Sequence, residues 1–253
     1  MLLAFVASTS FINAETTTWD FATGSAGYDV DNSGNNFGNQ LSIDINNDGI
    51  AELTIEAWAD TGCGWYCGND DEVFQGYAST NSWGLLNYNL DASDGSLTGE
   101  NHAIDNSGGD VDMMFFSFLE STALTGIELG WADDSDISIA AFSILPTLNG
   151  NTWSQIAAQS IFSASFNDIG TSPYSLANEI SGVLVEAQYW LIGAYSAVFE
   201  DKHLTHENDA FKIASITTKK PEPKPPTEVS EPSTFAVFAS FGLFLIWRRK
   251  KMM

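Results

Sequence analysis

Between Glu15 and Asp201 the chain has no lysine and no arginine, although the same span holds 28 aspartates and glutamates. All nine basic residues stand at or beyond Lys202, and the formal net charge is −24. A surface of one sign repels phosphate backbones and anionic headgroups, which argues against a nucleic-acid binder and a peripheral membrane binder. Without arginine before Arg248, no bidentate fork is available to clamp a phosphate or carboxylate, so nucleotide enzymes are disfavoured as well. A Gly-x-Ser-x-Gly elbow, a phosphate loop and a dinucleotide fingerprint are all missing. The expectation is a protein that is not an enzyme. Self-repulsion on this scale suits a secreted chain in salty surroundings, where charges are screened over about 10 Å.

Cysteine is nearly absent. Cys63 and Cys67, in Gly-Cys-Gly-Trp-Tyr-Cys-Gly, are the only two. A zinc site needs more ligands, and a redox site usually has Cys-x-x-Cys leading a helix, so in an exported protein the pair reads as a disulfide pinning a loop. Proline is scarce in the body of the chain, and five of the seven fall between Lys219 and Pro232. That stretch reads as an extended stalk, 219–229 up to the tail, at about 3.1 Å per residue. The last long apolar run, 235–247, has 13 residues. It would cover roughly 20 Å of a hydrocarbon core about 30 Å thick, as one short C-terminal transmembrane helix.

The rest of the chain is rich in strand signals. Apolar residues make up 44% and aromatics 13%, enough for one sizeable core in a single domain, 15–218. Leu41, Ile43 and Ile45 alternate with polar residues, Asn46-Asn47-Asp48-Gly49 is a turn sequence, and Leu53, Ile55 and Ala57 alternate again, which predicts a hairpin. Met113 to Phe118 is apolar on both faces, as in a central strand. Ile127, Leu129 and Trp131 alternate, as do Ile137, Ile139 and Ala141, and Phe211 to Thr217 would close the sheet. Trp153 to Phe166 reads either as a strand pair or as a short helix. Short strands separated by Gly, Asp and Asn turns predict an all-β fold, an antiparallel sandwich of jelly-roll kind.

Oxygen ligands occur at two turns. Asp44, Asn46 and Asp48 stand at odd positions before Gly49, as in a calcium loop, but Ile55 occupies the twelfth place where a bidentate Glu belongs, so a plain hairpin turn is the competing reading. Asp133, Asp134 and Asp136 could supply calcium ligands between strands, or form a solvated turn. His102 and Asp105 are the pair with the most catalytic look, read here as a candidate metal or ligand site rather than a catalytic one, and a hydrogen-bonded loop is the blander role. His203 and His206 lack the order of a metalloprotease helix. With so many carboxylates, a glycosidase pair cannot be inferred from presence alone.

The ends point to export. Residues 1–14 are mostly apolar and small, end in Ile12-Asn13-Ala14 and read as a secretory signal peptide. No basic n-region precedes them, which leaves room for a start upstream of Met1. At the other end Glu231-Pro232-Ser233-Thr234 abuts the apolar run, and Arg248-Arg249-Lys250-Lys251 comes after it as a stop held on the cytoplasmic side. This order resembles the PEP-CTERM sorting signal, with Ser230 where the family motif has its first proline. Ala57 to Thr61, His102 to Asn106, Phe116 to Phe118, Gly130-Trp131 with Asp134 to Asp136, Tyr189 to Tyr195 and Asn208 to Lys212 together resemble the exosortase-dependent surface proteins, over about Leu53 to Ile216. The resemblance implies an inner-membrane intermediate, an exosortase-type transpeptidase as partner that reads Glu231 to Thr234, and delivery to the cell surface or to a matrix of extracellular polysaccharide. A calcium-assisted carbohydrate-binding module is the alternative, and a polysaccharide hydrolase is a more remote one.

Overall fold

The computed structural model describes residues 15–22, 38–61, 72–89, 102–176, 184–205 and 208–221. Its strands are β1 (Thr16–Asp20), β2 (Leu41–Ile43), β3 (Leu53–Ala59), β4 (Phe74–Gln75), β5 (Tyr77–Asn81), β6 (Gly84–Tyr88), β7 (Ile104–Asp105), β8 (Asp112–Ala132) and β9 (Ile137–Phe142). A short helix, α1 (Trp153–Ala157), precedes β10 (Phe162–Phe166), β11 (Tyr174–Ser175), β12 (Glu186–Ala194) and β13 (Ala210–Lys219). Every pairing among these strands is antiparallel. The expected all-β class is therefore observed, wrapped on one apolar core.

Alternation sets the faces. In β3, Leu53, Ile55 and Ala57 are buried while Thr54 and Glu56 are only partly covered. β2 and β3 form the expected hairpin, with Leu41 opposite Ile55 and Ile43 opposite Leu53. Ile45 departs from the expectation: β2 ends at Ile43, and Ile45 stands 44% exposed in the loop. All six residues of β9 are buried, because β10 and β12 flank it and side chains cover both of its faces.

β8 is the strand on which the others are arranged. Its first part, Asp112 to Phe118, lies between β3 and β12. Its second part, from Ala123 to Ala132, runs along β13, and β11 joins at Gly126 and Ile127. The two parts were expected as separate strands. No Gly, Pro, Asn or Asp stands at Leu119-Glu120-Ser121, so nothing stops the strand there, and these three exposed residues carry it from one set of partners to the other. At about 3.3 Å per residue, a straight strand of this length would span roughly 70 Å, more than a domain of this size offers, so the strand has to coil.

β13 pairs with both β8 and β1, with Thr16 opposite Lys219. Lys219 is thus the last strand residue rather than the first of the linker, and the Lys220 amide still donates to the Glu15 carbonyl at 2.9 Å. The ambiguous stretch after β9 resolves into helix and strand. Thr152 and Gln155 form a reciprocal capping box, which sets the start of α1 and turns Trp153 and Ile156 into the core.

Among the described residues no helix is long and apolar enough to cross a membrane. Residues 1–14, Cys63, Cys67, the stalk from 222 onward, Glu231, Pro232, Ser233, Thr234, the run 235–247, Arg248 and Arg249 lie outside the described residues.

Candidate functional site

The register of β13 builds a carboxylate cluster. Phe211 lies opposite Ala132 at the end of β8, so the residues before it meet the four-residue turn that joins β8 to β9. There the Asp133 amide donates to the Ala210 carbonyl at 2.9 Å, and the Ala210 amide donates to the Asp134 carbonyl at 3.2 Å. On its other edge β13 pairs with β7, Ala210 opposite Asp105, which brings Asn106 beside Asp209. The outcome is a group of three carboxylates, Asp134, Asp136 and Asp209, each offering an oxygen within 4.8 Å of the others.

The group is held from several sides. Asn106 donates its side-chain amide to Asp209 Oδ2 at 2.5 Å and to the Tyr195 carbonyl at 3.1 Å, and its Oδ1 accepts from the Asp209 amide at 2.9 Å. Asp209 Oδ1 accepts from the Asp136 amide at 3.2 Å, and Asp136 Oδ1 accepts from the Asp168 amide at 2.7 Å. Asp134 accepts from the Ser135 amide at 2.7 Å and from the Asn208 side chain. Asp209 is fully buried and Asp136 nearly so, whereas Asp134 is half-buried.

Burial pushes the Asp209 carboxyl up to about 7, and the nearby charges of Asp136 and Asp134 add to the rise. Asp136 is raised for the same first reason, helped by Asp134 and Asp168 and opposed by the Asp168 amide. Three carboxylates this close repel one another in a poorly solvated place. Either a proton or a cation relieves that repulsion. An all-oxygen donor set matches a hard divalent cation, so the group could hold a metal ion.

The other candidates fall in different places. Asp133, expected as a ligand, is exposed and outside the group, and Asp209 takes its place. Nothing in the Asp133 to Asp136 turn itself announces Asp209, which is brought in by strand pairing; the only signal for it was its place in the Asn208 to Lys212 stretch. At the β2–β3 turn, Asp44 accepts from the amides of Asp48 at 3.2 Å and Gly49 at 2.7 Å, Asn46 accepts from Asp48 at 2.9 Å, and Asp48 accepts from Ile50 at 2.8 Å. These oxygens organise a hairpin loop. The twelfth residue, Ile55, is core, and the carboxylate that returns to the loop is Glu52, which accepts from the Ile45 amide at 2.8 Å and the Asn46 side chain at 2.6 Å.

His102 is buried edge-on against Tyr88, ring centroids 4.6 Å apart. Burial first, and the Lys212 charge second, push its pKa down, so it stays neutral at physiological pH. Asp105 accepts from the Ser107 amide at 2.9 Å, a local turn contact. His203 is exposed and lies 3.1 Å from Asp201, while His206 lies outside the described residues.

A further carboxyl was not singled out from the sequence. Asp60, buried at the end of β3, accepts from the Val111 amide with Oδ1, while its Oδ2 is buried with no hydrogen-bond partner among the described residues. Burial raises it to about 7, with a smaller push from the Asp110 charge. Its place in the Ala57 to Thr61 stretch was the available signal.

No protein-family model, curated protein or solved structure matches the chain.

Proposed function

We propose that the chain is an exported surface or matrix protein: an antiparallel β-sandwich of jelly-roll kind, a proline-rich stalk, and a C-terminal signal processed by an exosortase-type membrane transpeptidase. The observation that carries this reading is the order of the tail, Glu231 to Thr234, then the apolar run, then Arg248 to Lys251. The protein is the substrate of that processing, and the domain associates with extracellular polysaccharide.

The way the domain closes supports the reading. Among the described residues, the first and last strands pair with each other, and every core residue precedes Pro221. The carboxylate group sits at the opposite end of β13, roughly 30 Å from Lys219 at strand spacing. Asp134, Asp136 and Asp209 favour a second reading, a calcium-assisted carbohydrate-binding module, in which the ion orders the loops that meet a glycan.

The test is the mature C-terminus, read by mass spectrometry on protein recovered from envelope and medium beside a Pro232→Ala strain. The expected terminus lies near Glu231 or Pro232 and is lost in the variant. A terminus at Met253 in both strains would sink the sorting reading.

A further inference from the structure

Where β1 begins and β13 ends, the β2–β3 loop and the turn of β8 at Leu119 enclose a cleft of about 350 Å³. That volume is at the small end of the range for ligand sites, roughly 300 to 1,000 Å³. Of the candidate ligand residues read from the sequence, Asn46 alone borders it. We propose that it binds a saccharide unit without acidic groups, a neutral or amino-substituted mono- or disaccharide.

Its floor is aromatic. Trp19 and Phe118, only 6% and 4% exposed, pack 5.7 Å apart at its base, and the Trp19 indole nitrogen is committed to Thr218 Oγ1 at 2.9 Å, so the open carbon surface comes from the walls. Leu119, 53% exposed, and Ile45, 44% exposed, form apolar walls that face solvent. Such carbon surface suits the C–H faces of a pyranose.

The rim is dominated by acceptors. Glu15, Glu52 and Glu120 contribute carboxylates from three separate segments. Lys220 is the one cation among the lining residues, and it is held by Glu120 at 3.4 Å and Glu15 at 4.0 Å. A ligand that fits must bring hydrogen-bond donors and no negative charge. Sugar hydroxyls meet the first condition, while phosphates and uronic acids fail the second. The choice of a saccharide over other donor-rich small molecules rests on the surface-protein reading above.

The test uses the full chain in micelles of a detergent without a sugar headgroup, titrated calorimetrically with cellobiose, lactose, chitobiose and its de-N-acetylated form, and with the dipeptide Lys-Lys as a rival. Leu119→Trp fills the cleft, and Glu120→Gln removes a rim carboxylate; both positions are exposed, so thermal midpoints should match wild type. Ile144→Ser, at a surface position away from the cleft, serves as control. The expected result is saturable binding of at least one disaccharide, weakened tenfold or more in both cleft variants and unchanged in the control. Three results would overturn the proposal: no binding of any disaccharide, tighter binding of Lys-Lys than of every sugar, or undiminished binding in Leu119→Trp. The terminus measurement reads tail processing independently, so a correct terminus without sugar binding removes this assignment alone.

Discussion

Asp209 and Asp60 have carboxyls whose chemistry departs far from that of free side chains. Each has its pKa raised from 3.8 to about 7, so between those values the folded state holds protons that the unfolded chain has released. Stability therefore falls as pH rises through this window, the reverse of the usual effect of a salt-bridged carboxylate. Urea unfolding in the presence of chelator should show the domain less stable at pH 8 than at pH 5, by on the order of 2–4 kcal/mol. Asp209→Asn should remove a large part of that difference, and an unchanged pH profile would contradict the buried cluster. At pH 8 a cation held by the three carboxylates would take the place of the missing proton. Calcium at about a hundredfold over its dissociation constant should restore about 2.7 kcal/mol, and Asp136→Asn should abolish the gain. A midpoint indifferent to calcium would mean that the cluster is a structural hydrogen-bond network that holds no ion.

At the scale of elements, the β5–β6 hairpin rests directly on β8 and β13. A side chain added at Gly130 would meet the Trp83 carbonyl oxygen at 2.0 Å, and one at Gly84 would meet the Ile213 carbonyl oxygen at 2.1 Å. Gly84 also has φ +122°, which L residues rarely adopt. Backbone faces backbone here, so no flexible side chain can yield. Gly130→Ala should cost about 1–3 kcal/mol in urea unfolding by lifting the hairpin, whereas Ser121→Ala at the exposed turn of β8 should change little. Equal effects from the two would mean that the hairpin does not seat on Gly130. The outer strand β10 is protected in another way. The Ser165 amide is taken by Glu200 at 2.7 Å, and the Ser163 hydroxyl donates to the Phe199 carbonyl at 2.6 Å, so the 199–200 segment occupies an edge that would otherwise be open to pairing.

At the scale of the whole molecule, pairing of β13 with both β1 and β8 makes the domain depend on β13. A chain ending at Pro221 should unfold in one cooperative transition at the midpoint of the full protein. A chain ending at Lys212 loses most of the strand that pairs with both β1 and β8, and it should show no such transition by near-ultraviolet circular dichroism or urea titration. A cooperative transition in the shorter chain would mean that β13 is not needed for the fold. The same pairing places Lys219 and the cleft at one end of β13 and the carboxylate group at the other. An ion held by the carboxylates and a sugar held in the cleft would therefore occupy separate ends of the domain.

How much of this was legible depended on the range of the interaction involved. The hairpin of β2 and β3 and the doubly buried Met113 to Phe118 could be read directly, because alternation and continuous apolar runs are local consequences of which side chains meet the core. The charge distribution and the three-part tail are likewise properties of the residues alone. The fusion of two expected strands into β8 was hidden, since a missing turn signal at Leu119 to Ser121 does not say whether a strand ends or bends; only its neighbours β3, β12 and β13 decide that. The carboxylate group was half visible. Asp134 and Asp136 stand in one turn, but Asp209 joins them across more than seventy residues because antiparallel pairing of β13 with β8 leaves it no other place. Sequence by itself determined the β class, the acidic surface and the order of the tail. Tertiary structure alone chose which carboxylates meet and which aromatic edges line a cleft, because both depend on strand register, a long-range property that no local pattern encodes.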